Sequence, residues 1–174
     1  GCGGVGLSAL LAARLAGAGM IIAVDTLGQK LEMAKDLGAD YVVNASQENP
    51  QQKALELTGG KGVDHAVPCV GNAEVIMQAF GSVRSGGKCV VVGLPPIGVN
   101  LSIAPYELLQ AKVLTGTTQG DITALVDIPR YVDLFMAGKL PIDKLITGSC
   151  KLDEINEAYG ALERGEAVRT IIRF

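Results

Sequence analysis

Residues 1–6 read GCGGVG, a complete G-x-G-x-x-G pattern at the very start of the chain. This pattern is typical of the turn that joins a strand to a dinucleotide-binding helix, provided that an acidic residue follows about 20 positions later. Asp25 meets this condition, because it lies 19 residues after Gly6 and directly follows the apolar residues 20–24. The strand that should precede the turn is missing, so we expect the chain to be part of a longer polypeptide.

The residues of this pattern have separate physical roles. Gly1 permits the tight turn, Gly3 lets the backbone approach a pyrophosphate, and Gly6 lets the helix pack closely against the sheet. The N-terminus of that helix offers free N–H groups and the positive end of the helix dipole to the phosphates. Asp25 can accept both ribose hydroxyls and would repel a 2′-phosphate, and Lys30 lies one helical turn further on. The sequence therefore predicts NAD rather than NADP as the ligand.

Composition argues against several other classes of protein. Of the 174 residues, 48% are hydrophobic and 19% are charged, which suits a domain with a well-buried sheet. The net charge of −3 comes from acids and bases mixed along the chain, and only 4% of the residues are aromatic, so no nucleic-acid groove is expected. No apolar stretch approaches the roughly 20 residues that a membrane crossing needs. We expect a cytoplasmic protein with no nucleic-acid or membrane partner.

The cysteines and the single histidine argue against a metal site within the chain. Cys2, Cys69, Cys89 and Cys150 are far apart in the sequence and form no C-x-x-C pair. Structural zinc sites use four cysteine or histidine ligands, usually at short spacing. We expect reduced thiols, as in an intracellular protein, and no metal ligand in this chain. We interpret His65 as a structural side chain, because no acidic partner is placed to make it a base.

Strand and helix patterns alternate along the chain, which is typical of a parallel sheet covered by helices on both faces. The predicted strands are residues 20–24, 41–45, 65–70, 88–93 and 168–174, and residues 113–117 are predicted to be extended. The predicted helices are residues 7–14, 27–37, 50–57, 73–83 and 105–111, a helix that begins at Pro129 and a helix capped by Asp153. The stretch from Val99 to Ile103 alternates like a short exposed strand. We predict an α/β fold, a doubly wound parallel (Rossmann) sheet without its first strand.

Several separate stretches carry a resemblance to a known family. They are GCGGVG at residues 1–6, Val24-Asp25 with Lys30, AKDLGAD at 34–40, VVGLPP at 91–96 and GEAVRTII at 165–172. Together they resemble the zinc-dependent medium-chain alcohol dehydrogenases over essentially the whole chain. The resemblance implies that residues 1–115 are the NAD-binding domain and that residues 116–174 return to a catalytic domain.

The resemblance also assigns residues to parts of the coenzyme. Val5 would lie beside the nicotinamide, and Val70 would flank the riboses. Backbone groups of Val92 and Leu94 would bind the carboxamide, and Arg169 would reach the pyrophosphate. For the charged residues the alternative is a solvated side chain with no ligand, at a strand end for Asp25, on a helix face for Lys30 and at a sheet edge for Arg169. The full set of expected coenzyme-binding residues is Gly1, Gly3, Gly4, Val5, Gly6, Asp25, Lys30, Val70, Val92, Leu94 and Arg169.

The resemblance implies a whole enzyme that oxidises an alcohol to an aldehyde or ketone by hydride transfer to NAD. Its catalytic zinc would be held by cysteine, histidine and glutamate ligands before the glycine turn, so this chain is expected to contain no catalytic and no zinc-binding residue. A homo-oligomer that pairs the stretch from Val99 to Ile103 is also implied. Two alternatives remain open: a non-catalytic NAD-binding module, and an S-adenosylmethionine-dependent methyltransferase, which also combines a glycine turn with a strand-end acid.

Overall fold

The structure, a computed structural model, describes residues 1–174 and confirms the α/β class. The strands are β1 (Ile22–Asp25), β2 (Tyr41–Asn44), β3 (Val63–Ala66), β4 (Val83–Val91), β5 (Val113–Gly116), β6 (Gly148–Cys150) and β7 (Thr170–Ile172). The helices are α1 (Gly4–Leu15), α2 (Gly28–Asp36), α3 (Pro50–Leu57), α4 (Ala73–Gly81), α5 (Pro105–Leu109), α6 (Ala124–Met136) and α7 (Ile155–Glu163). Short 3₁₀ turns lie at Gln119–Asp121, Ile142–Leu145 and Leu152–Glu154.

All strand pairings are parallel, and they form three small sheets. β1 pairs with β2, β4 lies between β3 and β5, and β6 pairs with β7. Asp25 at the end of β1 is in register with Asn44 at the end of β2, and Val91 at the end of β4 is in register with Gly116 at the end of β5. The residues that follow neighbouring strands therefore gather at one edge, where open parallel sheets bind their ligands.

The glycine turn lies between the first two sheets. β1 and β3 are not hydrogen-bonded to each other. The backbone N–H of Cys2 donates to Asp25 Oδ2 over 2.6 Å, and a Cβ atom on Gly1 would collide with the side chain of Val70. The turn is therefore held between the carboxyl end of β1 and the residues that follow β3.

Helix α1 is fixed at this position by its buried face. Leu7, Leu10 and Leu11 are buried, at the i, i+3 and i+4 spacing of one helix face. They share a core cluster with Ala23 of β1 and Leu31 of α2. This packing orients α1 so that its N-terminus points toward the carboxyl ends of the strands.

The last third of the chain buries much less apolar surface. Helix α6 has no buried residue, although it is rich in apolar side chains. The large exposed apolar side chains of α6 are Leu125, Val126, Ile128, Tyr131, Val132, Phe135 and Met136. A face of this kind normally contacts another surface. None of the helices combines the length and apolar character that a membrane crossing requires.

The two largest errors in the predicted strand boundaries lie at the start of β4 and at the end of β3. β4 begins at Val83 rather than at residue 88, because the strand continues through Gly86 (φ +73°), where its pairing with β3 shifts register. β3 ends at Ala66 rather than at residue 70, and Pro68, which cannot donate to a ladder, follows it. The apolar pattern misjudged burial as well as pairing, because Val67 and Val70 are exposed and the buried Val83 lies outside the predicted strand.

The stretch from Val99 to Ile103 is not a strand, which corrects the prediction. No backbone N–H of residues 100–104 donates to another backbone group. Ile103 instead packs against the cluster around Phe80. An alternating pattern becomes a strand only where a neighbouring strand supplies the hydrogen bonds, and none lies beside this segment in the chain.

The C-terminal helices also begin at other residues than predicted. α6 begins at Ala124, where the carboxylate of Asp127 accepts the N–H of Thr123 over 2.8 Å, and Pro129 lies inside the helix. The turn before α7 is closed by Glu154, which accepts the N–H of Lys151, and not by Asp153. Strand β6 carries no strong sequence pattern, and it forms because β7 pairs with it.

Candidate functional site

The glycine turn and the N-terminus of α1 form an open cradle. Gly3 is the residue before the helix, and the first helical hydrogen bond runs from the N–H of Leu7 to the Gly3 carbonyl over 2.9 Å. The N–H groups of Gly4, Val5 and Gly6 therefore have no helical acceptor, and no acidic side chain lies in the first turn. A Cβ atom on Gly3 would meet nothing within 4 Å, so the space above the turn is free.

Asp25 is fixed at the end of β1 by backbone hydrogen bonds. Its Oδ2 accepts the N–H of Cys2, and its Oδ1 accepts the N–H groups of Thr26 (2.8 Å) and Leu27 (3.0 Å). Partial burial acts to raise the pKa of the carboxyl, but the hydrogen bonds from Cys2 and Leu27, the charge of the Gly1 amine and the charge of Lys30 outweigh it and hold the pKa below its usual value. The carboxylate is therefore ionised at neutral pH, and its Oδ2, which accepts a single N–H, keeps a lone pair for a hydroxyl donor.

Lys30, in the first half of α2, lies against a loop from the end of the chain. Its Nζ is 3.4 Å from the position that a Cβ atom on Gly165 would occupy. Gln29 Nε2 donates to the Gly165 carbonyl over 2.7 Å. The side chain of Lys30 is thus partly covered by this loop, on the same side of the turn as Asp25.

Arg169 lies over the N-terminus of α1. Its Nη2 is 3.6 Å from the position that a Cβ atom on Gly4 would occupy, and the Val168 carbonyl oxygen is 3.3 Å from the same position. Arg169 takes part in no ion pair, unlike Arg84, Arg130 and Arg164. An unpaired guanidinium beside free helix N–H groups is an arrangement that favours an anion.

Val70 and Leu94 lie together on the other side of the turn, where the backbones after β3 and β4 cross closely. A Cβ atom on Gly71 would collide with the Leu94 carbonyl, and one on Gly93 would collide with the backbone of Val70. The N–H of Val92 donates to the Pro68 carbonyl over 3.1 Å. Crossing segments of this kind present backbone groups and apolar side chains to the same space.

The apolar side chains at this end are exposed. Val5 is 55% exposed, Val70 is 40% exposed and Leu94 is 91% exposed. Next to them, an open cleft runs between residues 91–95 and the residues that follow β5, namely Gly116, Thr117, Thr118 and Asp121. The cleft can accept a flat group that has both an apolar face and polar substituents.

Sequence reasoning missed several residues of this region. Gly71 and Gly93 have to be glycines because the segments that follow β3 and β4 pass too close to each other for a Cβ atom. The sequence alone does not show that these two segments meet. Thr117 and Thr118 carried a usable signal, because small polar residues directly after a strand lie at the ligand-binding edge of an open sheet. The predicted residues lie around the glycine turn: Asp25 and Lys30 on one side, Val70 and Leu94 on the other, and Arg169 over the N-terminus of α1.

The thiols and the acids of the chain do not form a metal centre. No group of three or more histidine, cysteine, aspartate or glutamate side chains could hold a metal ion. Burial raises the pKa of the Cys2 thiol and of the Cys89 thiol to about 11. These thiols are protonated at neutral pH and are poor metal ligands. His65 is exposed on β3, where it is in register with Lys88.

Comparison with known proteins gives close and extensive matches. S-(hydroxymethyl)glutathione dehydrogenase of Paracoccus denitrificans is 35% identical over 100% of this chain and 48% of its own length. Alcohol dehydrogenase 1 of Zea mays is 40% identical over 99% of this chain and 46% of its own length. The chain thus spans about half the length of the curated relatives that it matches.

Solved structures show the same fold. The benzyl alcohol dehydrogenase of Acinetobacter calcoaceticus superposes with a TM-score of 0.96 at 37% identity, over 100% of this chain and 48% of that protein. The family model described as "Zinc-binding dehydrogenase" matches residues 4–136, which is most of the chain. The resemblance found in the sequence is confirmed, and the chain belongs to the zinc-binding dehydrogenase family.

Proposed function

We propose that this chain binds NAD and forms the coenzyme-binding half of a zinc-dependent dehydrogenase that oxidises a small alcohol to an aldehyde or ketone. One observation carries the proposal: an ionised, fixed Asp25 lies beside an open glycine cradle that is capped by the unpaired Arg169. Membership of a dehydrogenase family favours this function over the methyltransferase alternative. The relatives named above support the reaction class.

The pyrophosphate of NAD would occupy the cradle. The free N–H groups of Gly4, Val5 and Gly6 and the positive end of the α1 dipole would bind its oxygens. Arg169 would supply a permanent cation above them. The open space at Gly3 is where the two phosphates would approach the backbone most closely.

The adenosine ribose would lie at the end of β1. Asp25 would accept hydrogen bonds from its two hydroxyl groups, and Lys30 would reach the edge of the same ribose. A 2′-phosphate would bring two negative charges against an ionised carboxylate, so NADP would bind more weakly than NAD. Specificity for NAD would thus depend chiefly on the charge of one residue.

The nicotinamide would lie at the apolar end of the site. Val5 and Val70 would cover one side of the ring and the adjoining ribose, and backbone groups of Val92 and Leu94 would bind the carboxamide. The bound nicotinamide supplies the hydride acceptor. The residues of this chain orient the ring and exclude water from it, and none of them is assigned a proton-transfer role.

The proposal places no zinc ligand in this chain, because its cysteines and single histidine do not form a suitable group. The ligands would belong to residues outside the sequence described here. We further propose that residues 1–115 are the coenzyme-binding domain and that residues 116–174 belong to a catalytic domain. The exposed apolar face of α6 supports this division, because it needs a partner surface.

We also propose that two copies of the protein pair along the stretch from Val99 to Ile103. The N–H of Val99 donates to the Pro96 carbonyl, but the N–H groups of residues 100–103 donate to no backbone group, so this part of the segment can accept a strand from a second copy. Light scattering of the whole protein would show a dimer, and a monomer would refute this part of the proposal.

The coenzyme assignment is tested by Asp25→Ser in the whole protein, with fluorescence titration of NADH and NADPH. We expect the Kd for NADH to rise by about ten- to 150-fold, because the loss of a charged hydrogen-bond acceptor costs about 1.5–3 kcal/mol. The Kd for NADPH should fall. Unchanged NADH affinity would refute the role of Asp25.

Asp40→Ser is the matched control for this substitution. Asp40 Oδ2 accepts the N–H of Ile21 over 2.7 Å at the opposite end of β1. The control therefore removes an aspartate with a similar backbone contact and leaves the proposed site untouched. Its NADH affinity should equal that of the unmodified protein.

A further inference from the structure

The five residues from Gly165 to Arg169 contact both helices of the proposed coenzyme site. At one end, the Gly165 carbonyl accepts the amide N–H of Gln29 over 2.7 Å. Gly165 has φ +76°, and a Cβ atom there would collide with the side chain of Leu27. At the other end, Arg169 lies over Gly4 at the N-terminus of α1. One short segment thus connects the helix after Asp25 with the glycine cradle.

Further contacts fix the Arg169 end of this segment. The N–H of Val168 donates to Thr147 Oγ1 over 2.9 Å, and the N–H of Thr147 donates to the Arg169 carbonyl over 2.9 Å. Strand β7 begins at the next residue and pairs with β6. At the Gly165 end, the N–H of Gly165 donates to the Leu162 carbonyl of α7 over 3.0 Å, and the hydrogen bond from Gln29 joins this end to α2.

Only one side chain of α2 holds the Gly165 end by a hydrogen bond. Gln29 donates to Gly165 across 136 positions of sequence, whereas Lys30 only passes beside the glycine. Gln29 itself is exposed, and it makes no hydrogen bond to the residues of the glycine cradle. Its contact therefore acts on the separation of Lys30 and Arg169, the two cations of the proposed site.

We propose that Gln29 is a positioning residue for the coenzyme, and that its hydrogen bond to Gly165 sets Arg169 over the cradle at the correct distance from Lys30. The inference rests on the proposed function, because Lys30 and Arg169 are there assigned to the ribose and the pyrophosphate. Gln29 itself is assigned no contact with the ribose or with the pyrophosphate. Its effect reaches the ADP-ribose portion of the coenzyme through the Gly165–Arg169 segment.

Gln29→Met in the whole protein tests this role, because methionine keeps the length of the side chain and removes the donor. We expect the Kd for NADH and the Kd for ADP-ribose to rise about three- to tenfold, the effect of one neutral hydrogen bond. The KM for NAD should rise while kcat and the KM for the alcohol stay unchanged. Gln52→Met, at an exposed position of α3, is the matched control and should bind NADH normally.

A double-mutant cycle with Arg169→Met separates positioning from a general loss of stability. If Gln29 acts through Arg169, the double variant should bind NADH as weakly as Arg169→Met alone. Additive losses would overturn the inference. So would a Gln29→Met protein that binds NADH like the unmodified protein, and that result would leave the proposed function standing. An unmodified protein that binds no NADH would overturn both.

Discussion

A methyl group added to Gly6 would collide with the carbonyl oxygen of Gly1, whereas one added to Gly3 would meet no atom within 4 Å. Gly3 also has φ −76°, a backbone conformation that any residue adopts. Packing therefore requires a glycine at position 6, and nothing within the chain requires one at position 3. The free space at Gly3 is best explained by a ligand.

Alanine at position 6 should consequently lower stability, whereas alanine at position 3 should weaken coenzyme binding. Gly6→Ala should lower the free energy of unfolding by about 1–3 kcal/mol, because the methyl group has to displace backbone. Gly3→Ala should change the free energy of unfolding by less than about 0.5 kcal/mol and still weaken NADH binding at least about tenfold. Urea unfolding and NADH titration of both variants measure this, and normal NADH binding by Gly3→Ala would refute the cradle as the pyrophosphate site.

Sequence reasoning predicts the position of a residue in the fold well where that residue obeys a local rule. Asp25 follows an apolar strand at the expected distance from the glycines, and the structure shows its carboxylate bound to the turn itself through the N–H of Cys2. Gly71 and Gly93 could not be found in this way. Each is needed because the segment that follows the other strand passes close to it, and the sequence carries no record of that close approach.

Lys112, directly before β5, joins three elements on the opposite side from the proposed site. Its side chain is only 6% exposed, its Nζ lies 2.6 Å from Glu107 Oε2 of α5, and it lies 5.8 Å from the ring centre of Phe80 in α4. A buried cation has to be compensated, and here one carboxylate and one aromatic face do so. The short helix α5 is thereby attached to the sheet.

Removing the two partners of this pair should have unequal effects. Glu107→Gln leaves a buried, unpaired ammonium group and should lower the free energy of unfolding by about 2 kcal/mol, less than for a fully buried pair because Glu107 is 33% exposed. Lys112→Met keeps the apolar contact with Phe80 and should cost less than about 1 kcal/mol. Urea unfolding of both variants decides the matter, and equal losses would show that the ion pair is only a surface contact.

Periodicity predicted the early elements well and the later ones less well, for one physical reason. β1, β2, α2 and α3 bury one face against a neighbour in the chain, so their hydrophobic patterns match their true extents closely. β4 continues through Gly86 because β3 pairs with it, and β6 exists only because β7 pairs with it. Where pairing rather than burial sets the boundary, the sequence pattern does not contain it.

Much of the large apolar surface that remains exposed lies on α6 and near the stretch from Val99 to Ile103. α6 exposes seven large apolar side chains, and Ile97 and Val99 lie exposed near the stretch that we propose as the copy-to-copy contact. The relatives that the chain matches are about twice as long as the chain. Both facts agree with our proposal that residues 116–174 pack against a domain outside this sequence.

Methionine oxidation in the whole protein tests that packing. In this chain Met136 of α6 is 76% exposed and Met20 is 38% exposed, so exposure alone predicts that peroxide oxidises Met136 faster. If α6 packs against another domain, Met136 should be covered in the whole protein and should oxidise several times more slowly than Met20. Mass spectrometry of peptides after brief peroxide treatment gives both rates. Faster oxidation of Met136 would show that the face of α6 stays open and would refute the proposed division at residue 116.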